Sequence, residues 1–351
     1  MVEIFGIPSQ ALLGQLLIGL INGSFYALLS LGLAVIFGML DIINFTHGAQ
    51  YMMGAFAAYL LLENVGVGYW PALIIAPILV GATGVLIERN LIAQLKNSSK
   101  SRVVILITST AALCLIADFF FSAVVALPLA IVGGLLCAEA WALRRPDLPS
   151  NEPVDHLYGL LLTFGLALVI EGLSRIQFGS AGKPYQIPVA LQGGRNLGFM
   201  FLPNYRAWVI VFSLAVCLAT WFAIERTRLG SYLRAATENA ALVRAFGINV
   251  PRMVTLTYGL GVGLAALAGV MAAPIYNVSP QMGSDLIIVV FAVVVIGGMG
   301  SILGAILTGF ALGIVEGLTK VFFPEASSTV IFVIMVIVLL VRRAGLFGRT
   351  V

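Results

Sequence analysis

The sequence predicts an all-α polytopic membrane protein with about 9–11 transmembrane segments. Of its 351 residues, 60% are hydrophobic and only 10% are charged, and the mean hydropathy is +1.07. In a soluble domain, about a quarter of the residues are charged. Apolar stretches of the roughly 20 residues needed to cross a bilayer recur along nearly the whole chain. We therefore expect residues 1–351 to form one transmembrane domain whose soluble parts are loops.

Apolar segments follow one another closely, and the chain is expected to cross the bilayer at each of them. In order they are 11–36, 38–62, 71–90, 103–121, 124–143, 157–176, 207–224, 253–275, 286–298, 301–318 and 328–341. Two of the segments carry glycines at four-residue spacing, which predicts close packing of helices. These glycines are Gly309, Gly313 and Gly317 in one segment and Gly259 and Gly263 in the other.

Basic residues divide unequally between the two sets of loops that this pattern creates. One set holds 14 of the 19 Lys and Arg residues and the other holds five. The larger set is Arg89, Lys96, Lys100, Arg102, Arg144, Arg145, Arg226, Arg228, Arg234, Arg244, Arg252, Arg342, Arg343 and Arg349. The positive-inside rule places this set and the C-terminus in the cytoplasm, and an odd number of crossings then places the N-terminus outside. Because this asymmetry explains the net charge of +4, no nucleic-acid partner is expected.

The basic loop 225–252 is patterned as a short amphipathic helix lying parallel to the membrane. One face is small or aliphatic and the other is mostly polar. The first consists of Leu233, Ala236, Ala240 and Val243, and the second of Arg234, Thr237, Glu238, Ala241 and Arg244. Gly247 followed by Pro251 is expected to end the helix. Such a helix can bind anionic lipid headgroups or a partner protein, and the alanine-rich face favours the protein because it offers little apolar bulk to lipid.

Two segments are interrupted where a membrane helix would normally continue. Transporters place unwound backbone at mid-membrane, where its free carbonyl and amide groups can line a cavity. We therefore expect the residues of both breaks to lie along a substrate path at this depth. They are Asn44, Thr46 and His47 in "MLDIINFTHG", and Gly297, Gly298, Gly300 and Ser301 in "IGGMGSILG". The shared pattern of breaks also predicts an internal repeat, with 11–90 corresponding to 286–341, and Asp41 is expected nearer the cytoplasmic surface.

His47 has two interpretations. An ionisable group inside a membrane is often functional, which favours a proton relay or a ligand in the path. A single histidine between Thr46 and Gly48 is more often a neutral hydrogen-bond partner that satisfies broken-helix backbone. We prefer the second interpretation.

Four stretches of the chain resemble the permeases of branched-chain amino-acid ABC importers. "INGSFYALLSLGLAVIFGMLDIINFTHGAQYMMGAF" is similar to their N-terminal signature, and "RTRLGSYLRAATENAALVRAFGINVPR" to their coupling loop. "HLYGLLLTFGLALVIEGLSRIQFG" and "IIVVFAVVVIGGMGSILGAILTGFALGIVEGL" also match, in the order that the family shows. Of the two permease types in the family, the chain resembles the LivH-type rather than the LivM-type.

This resemblance implies a multi-pass subunit of the bacterial inner membrane with several partners. These are a LivM-type permease, two cytoplasmic ATPases and a periplasmic substrate-binding protein, besides the lipid bilayer. The coupling role falls on Arg234, Ala235, Ala236, Thr237, Glu238 and Asn239, which are expected to seat in an ATPase groove. The chain contains no G-x-x-x-x-G-K-[ST] phosphate loop, so we expect no enzymatic activity and no bound cofactor of its own, and ATP energy would enter through the partners.

The expected cargo is a branched-chain or related hydrophobic amino acid. Import of urea or a short-chain amide is the close alternative, because those permeases resemble this family. An ion-coupled secondary transporter is less well supported, since His47 and scattered acidic residues make a poor ion site.

Residues 103–143 depart from the family pattern, because "HLYGLLLTFG" is expected soon after "LIERNLIAQLKNSSKSR". These 41 residues are long enough for an inserted two-span hairpin. We favour a peripheral hairpin facing lipid, although Asp118 in mid-span also suits packing against another subunit. Outside the membrane, the turn-rich segment 177–206 is the candidate for periplasmic docking.

Three acidic residues are expected to be structural. Glu171 is predicted to pair with Arg175 one helical turn later. Glu316 and Asp285 are predicted to be solvated helix ends.

Overall fold

The architecture is that of a computed structural model that describes residues 3–4, 7–40, 43–89, 156–198 and 200–348. These residues form eleven α-helices and only a few short strands, which confirms the all-α fold class. The helices are α1 (Ser9–Leu40), α2 (Thr46–Val65), α3 (Tyr69–Ile87), α4 (His156–Phe178), α5 (Asn204–Glu225), α6 (Arg228–Glu238), α7 (Ala240–Ala245), α8 (Val250–Tyr276), α9 (Met282–Gly297), α10 (Ile302–Phe322) and α11 (Val330–Val341). The inserted hairpin predicted at 103–143, with Asp118, lies outside the described residues, as does Asp41.

Two antiparallel strand pairs accompany the helices. The pair β1 (Glu3–Ile4) and β2 (Ile7–Pro8) precedes α1. The pair β3 (Gly194–Asn196) and β4 (Phe201–Pro203) forms a hairpin between α4 and α5, in register Arg195 opposite Leu202. Short 3-10 turns occupy Val189–Leu191 and Pro324–Ala326.

Six of these helices are long and apolar enough to cross a bilayer, namely α1, α3, α4, α5, α8 and α10. The apolar helices α9 and α11 are shorter, with 16 and 12 residues. α2 has 20 residues, but its first turns carry Thr46, His47 and Gln50. The chain is therefore a multi-pass membrane protein, and the prediction of many spans is confirmed.

Local sequence explains where several helices begin and end. α2 ends at Gly66, which adopts the left-handed conformation at φ 70° and whose N–H bonds to the last carbonyls of the helix. α8 begins after Asn249, whose side chain accepts from the Arg252 N–H, with Pro251 in its first turn. α10 begins after Ser301, whose hydroxyl accepts from the Gly304 N–H at 3.1 Å.

Successive long helices run between two ends of the bundle. At one end lie the last turns of α1 and α5, helices α6 and α7, the α9–α10 turn and the C-terminal tail 342–348, and we call this the basic end. At the other lie the α2–α3 turn and the β3–β4 hairpin, and we call this the hairpin end. There the Tyr69 hydroxyl lies 2.9 Å from that of Tyr205, which donates to the Met271 carbonyl near the end of α8. The first turns of α1 also lie at the hairpin end, where Gly14 is close to Met200, so residues 9 and 348 lie at opposite ends of the bundle.

α1 and α8 form the centre of the bundle. In their apolar spans 83% and 78% of residues are buried by protein, whereas in α4 and α5 only 22% are. Exposed apolar side chains such as Ile78, Val211 and Phe222 line the outer helices, as expected for surfaces that face lipid or another membrane subunit. α8 packs against α1, α2 and α3, while α10 packs along α1.

Glycines permit the closest of these helix contacts. A Cβ atom at Gly313 would overlap the backbone of Gly19 and Gly23 on α1. Gly309 and Gly317 face α1 in the same way, at Ala27 and at Gln15, and Gly259 packs on α3 at Gly81 and Val85. The close packing predicted from the four-residue glycine spacing is confirmed for both helices.

We expect Gly313→Leu to lower the free energy of unfolding by about 1–3 kcal/mol, because a side chain at this contact must separate α1 from α10. The matched control is Gly165→Leu on α4, where a Cβ atom would meet nothing within 4 Å. Both changes improve helix propensity equally. Thermal unfolding of the purified chain in detergent measures the difference, and equal stability of the two variants would contradict the packing described here.

Candidate functional site

The first break forms a buried polar cluster between helices. Asn44, Thr46 and His47 are at most 1% exposed, and Gln50 is fully buried beside them. α2 begins at Thr46, and the His47 ring lies against α1 with Nε2 3.0 Å from the Leu29 carbonyl. Gly38 lies at the basic end of α1, and Leu29 is nine residues before it. Leu29 is therefore roughly 13 Å from that end along the helix. The chain thus re-enters the bundle after α1, and α2 starts inside it, as predicted for a broken helix.

Thr163 of α4 holds this re-entry from one side. Its hydroxyl accepts from the Phe45 N–H at 3.3 Å and lies 3.1 Å from the Ile43 carbonyl, to which it can donate. Its carbonyl accepts from the Thr46 hydroxyl at 2.9 Å. Sequence reasoning missed Thr163, and its only signal was a threonine in the otherwise apolar run "HLYGLLLTFG".

Tyr258 of α8 holds the re-entry from the other side. The Asn44 Nδ2 donates to its hydroxyl at 3.0 Å, while Asn44 Oδ1 accepts from the Thr46 N–H at 3.1 Å. The Gln50 amide also points to the Tyr258 hydroxyl, with Nε2 at 3.5 Å. Tyr258 is 1% exposed, and it too was not predicted.

The remaining buried polar atoms of this cluster can be paired around a neutral His47. His47 Nδ1 and Gln50 Oε1 have no hydrogen-bond partner, although the two side chains are adjacent. The oxygen and nitrogen of an amide are assigned from their partners. If the oxygen and nitrogen of the Gln50 amide are exchanged, Gln50 Oε1 accepts from the Tyr258 hydroxyl and Gln50 Nε2 donates to His47 Nδ1. His47 Nε2–H then donates to the Leu29 carbonyl. This assignment satisfies both atoms with a neutral imidazole.

The second break lies at the basic end, away from the first. α9 ends at Gly297 and α10 begins at Ile302, so the glycines form a turn between two helices. Gly298 and Gly300 have φ of 101° and 82°, values that favour glycine. The N–H groups of Leu346 and Phe347 bond to the carbonyls of α9's last residues at 2.8 and 3.1 Å. The mid-membrane placement predicted for Gly297, Gly298, Gly300 and Ser301 is therefore wrong.

The amphipathic loop is also at the basic end, but it forms two helices rather than the single helix predicted. Asn239 separates α6 from α7, because its side chain accepts from the Leu242 N–H at 2.9 Å and caps the second helix. The small or aliphatic face, which was expected to suit a partner protein, instead packs within this chain, because Leu233, Ala236 and Val243 are buried. Gly247 follows α7 with φ 81°, as its expected role as a stop requires.

The six residues assigned to coupling do not share one surface. Ala235, Thr237, Glu238 and Asn239 are exposed, whereas Ala236 is 8% exposed and faces the bundle. Arg234 is tied back to the end of α5, with Nη1 3.2 Å from the Glu225 carboxylate and 3.4 Å from the Ile224 carbonyl. Of the exposed four, Thr237 and Asn239 bond within the loop itself, because Thr237 Oγ1 donates to the Arg234 carbonyl and Asn239 Oδ1 accepts from the Leu242 N–H.

A cleft of about 700 Å³ opens between these elements at the basic end. Its walls include Val35 and Gly38 of α1, Leu233 and Thr237 of α6, and Gly300 and Phe347. The cleft therefore brings the α9–α10 turn, the tail and the amphipathic loop together, although it does not include the buried cluster at Asn44.

The acidic residues follow two patterns. Glu171 pairs with Arg175 at 2.8 Å, which confirms that prediction, and Asp285 is exposed as expected. Glu316 is not a solvated helix end, because it is 8% exposed and accepts from the Tyr26 hydroxyl at 2.7 Å and from Lys320 Nζ at 2.5 Å. The error arose because Tyr26, distant in sequence, covers it. No cluster of His, Cys, Asp or Glu able to hold a metal occurs in the described ranges.

The loop at the hairpin end is anchored to the bundle. Lys183 and Val278 exchange backbone hydrogen bonds at 2.7 and 2.8 Å. Tyr185 is 5% exposed beside Tyr69, and burial raises its pKa. The predicted docking segment 177–206 is thus held in place at both of these residues.

The sequence matches a profile of the family described as branched-chain amino acid transport system, permease component, over residues 15–124 and 92–339. It is 27% identical over 349 residues to the high-affinity branched-chain amino acid transport system permease protein LivH of Escherichia coli K12, with 96% of each chain covered. It is 26% identical over 347 residues to BraD of Pseudomonas aeruginosa, a permease of the same description, again covering 96% of each. The autoinducer 2 import permease LsrD of Salmonella paratyphi B is 26% identical over 67% of this chain and 73% of its own. No solved structure matches the chain.

Proposed function

We propose that this chain, which belongs to the family of branched-chain amino acid transport permeases, is the membrane-spanning permease subunit of a binding-protein-dependent ABC importer. The observation that carries this proposal is a family match from residue 15 to residue 339, together with relatives that align over 96% of the chain. The multi-pass helical bundle suits the same role.

The proposed cargo is a branched-chain or related hydrophobic amino acid. Two relatives that align over almost the full length, LivH and BraD, are named for this transport. LsrD, named for autoinducer 2, aligns over a smaller part of the chain, so it supports the permease role more than a shared cargo. The neutral polar cluster at Asn44 is compatible with a path that must release an uncharged side chain.

The partners proposed are a LivM-type permease, two ATPases that hydrolyse ATP in the cytoplasm, and a periplasmic binding protein. We place the basic end, with the C-terminus, in the cytoplasm of a bacterium with an inner membrane, because basic residues of α6, α7 and the tail lie there. The exposed positions Ala235, Thr237, Glu238 and Asn239 are then available to an ATPase. The hairpin end, with the anchored segment 177–206, faces the periplasm.

The substrate path is proposed to pass beside Asn44, Thr46 and His47 and to leave through the cleft at the basic end. Gly300 and Ser301 line that cleft, and Gly297 and Gly298 form the turn next to it. In this proposal the first break shapes the inner part of the path and the α9–α10 turn shapes its exit.

Reconstitution tests the function directly. Liposomes containing this chain, its second permease and the ATPases, supplied with a loaded binding protein, should accumulate labelled leucine, isoleucine or valine only when ATP is hydrolysed. Omission of ATP is the control. Accumulation driven by an ion gradient without ATPases would refute the ABC assignment, and uptake of urea or autoinducer 2 in place of leucine would refute the proposed cargo.

Glu238→Arg should weaken ATPase association by about tenfold or more, because it reverses a charge on the exposed face of α6 without touching the Arg234–Glu225 pair. Glu325→Arg, the same change at an exposed site of the hairpin end, is the control and should leave association unchanged. Copurification of ATPases with the tagged chain gives the measurement. If both variants retain the ATPases equally, α6 is not the docking site.

His47→Gln should keep uptake within about twofold of the wild type, since the glutamine amide can replace the imidazole as donor to the Leu29 carbonyl. His156→Gln, at the chain's other histidine, controls for a general effect of losing an imidazole. Initial uptake rates between pH 6 and 8 provide the comparison. Complete loss of uptake in a variant that assembles normally would contradict the role of His47 as a neutral hydrogen-bond partner.

A further inference from the structure

We propose that Tyr258 is a positioning residue through which movement of the α6–α7 loop reaches the buried break at Asn44. This inference rests on the proposed function, in which the loop receives the ATPases and the break borders the path. It assigns a role to a residue of α8 that belongs to neither element.

The α6–α7 loop is packed directly onto the first turns of α8. Ala236 of α6 and Val243 of α7 form one apolar cluster with Val250, and Met253 and Val254 pack against it. All three central residues are at most 8% exposed. Because packed apolar contacts resist separation, a displacement of the loop must displace the beginning of α8 with it.

α8 carries that displacement inward as one uninterrupted helix. Tyr258 lies eight residues after Val250, a rise of about 12 Å. Between them the Thr255 hydroxyl donates to the Glu88 carboxylate at the end of α3, at 2.5 Å. α8 has Pro251 in its first turn, where a proline is accommodated without a kink, and Pro274 close to its other end, so no proline kink separates Met253 from Tyr258.

The hydroxyl of Tyr258 links the position of α8 to the geometry of the break. Its hydroxyl receives the Asn44 amide at 3.0 Å, and the same Asn44 side chain accepts from the Thr46 N–H that begins α2. An N–H···O bond weakens beyond about 3.2 Å, so a shift of α8 by an ångström either draws Asn44 along or breaks the bond. Because these groups are buried, no bulk water replaces the lost partner.

Tyr276 offers a control on the same helix. Its hydroxyl donates to the Oδ1 of Asn22 on α1 at 2.9 Å, so it also joins a tyrosine of α8 to an asparagine outside that helix. It lies at the hairpin end, eighteen residues from Tyr258 and away from the α6–α7 loop. Replacing either tyrosine by phenylalanine keeps the ring and removes one hydroxyl.

The test compares Tyr258→Phe with Tyr276→Phe in the assembled transporter in liposomes. Amino acid accumulated per ATP hydrolysed is the readout, because a purely structural defect would lower transport and ATP hydrolysis together. We expect Tyr258→Phe to lower this ratio about two- to tenfold, the effect of one hydrogen bond, while ATP hydrolysis continues and Tyr276→Phe keeps the wild-type ratio. Equal ratios in the two variants would overturn the inference. Absence of uptake by the wild type would instead count against the proposed function.

Asn44→Ser keeps the test decisive if Tyr258→Phe does not assemble. Serine can still accept from the Thr46 N–H but is too short to reach Tyr258, so it should lower the ratio as Tyr258→Phe would. A double variant of Asn44→Ser with Val243→Ala alters, in one chain, both ends of the proposed route from the α6–α7 loop through α8 to the break. If the two act on one route, the double variant is no worse than the more severe single variant, and multiplied losses would refute the route.

Discussion

The pairing of backbone polar groups inside an apolar bundle is the constraint on which this structure depends. Where the chain re-enters after α1, the backbone of Ile43, Phe45 and Thr46 lies away from water, and each unpaired group there would cost several kcal/mol. Thr163 and the Asn44 side chain supply the missing partners, and Tyr258 in turn accepts from the Asn44 amide. The polar residues that interrupt an otherwise apolar sequence are therefore the condition for starting a helix inside the membrane.

The same constraint explains which helices surround the break. The partners of the break come from α1, α4 and α8, so these helices must approach it closely. Glycine provides the room: Gly32 of α1 packs against Gly261 of α8 beside the His47 ring, and Gly48 of α2 packs against Gly283 of α9. A dispersed set of small residues and a short polar sequence thus act together, the first bringing the backbones close and the second satisfying the groups that are enclosed.

The sequence was sufficient to predict the class, the alternating spans, the amphipathic pattern of the α6–α7 loop and the polar character of the first break, because each depends on residues near one another in the chain. Tyr258 and Thr163 were not predictable, since their roles arise from contacts more than 100 residues distant. The placement of Gly297–Ser301 failed for a related reason. Glycine and serine serve equally in a broken helix and in a turn between helices, and only packing against Gly38 and the C-terminal tail distinguishes the two.

The charge of the groups at the first break determines how strongly they can hold a polar group that passes beside them. In the described residues the cluster consists of amides, hydroxyls and one imidazole, which pair with one another and with backbone groups. A path edged by neutral dipoles can solvate a passing polar group without holding it through a fixed charge. Such an arrangement binds weakly, and direction must then come from movement of the helices that position it. α8 is suited to that task, because it contacts the α6–α7 loop at Val250 and the break at Tyr258.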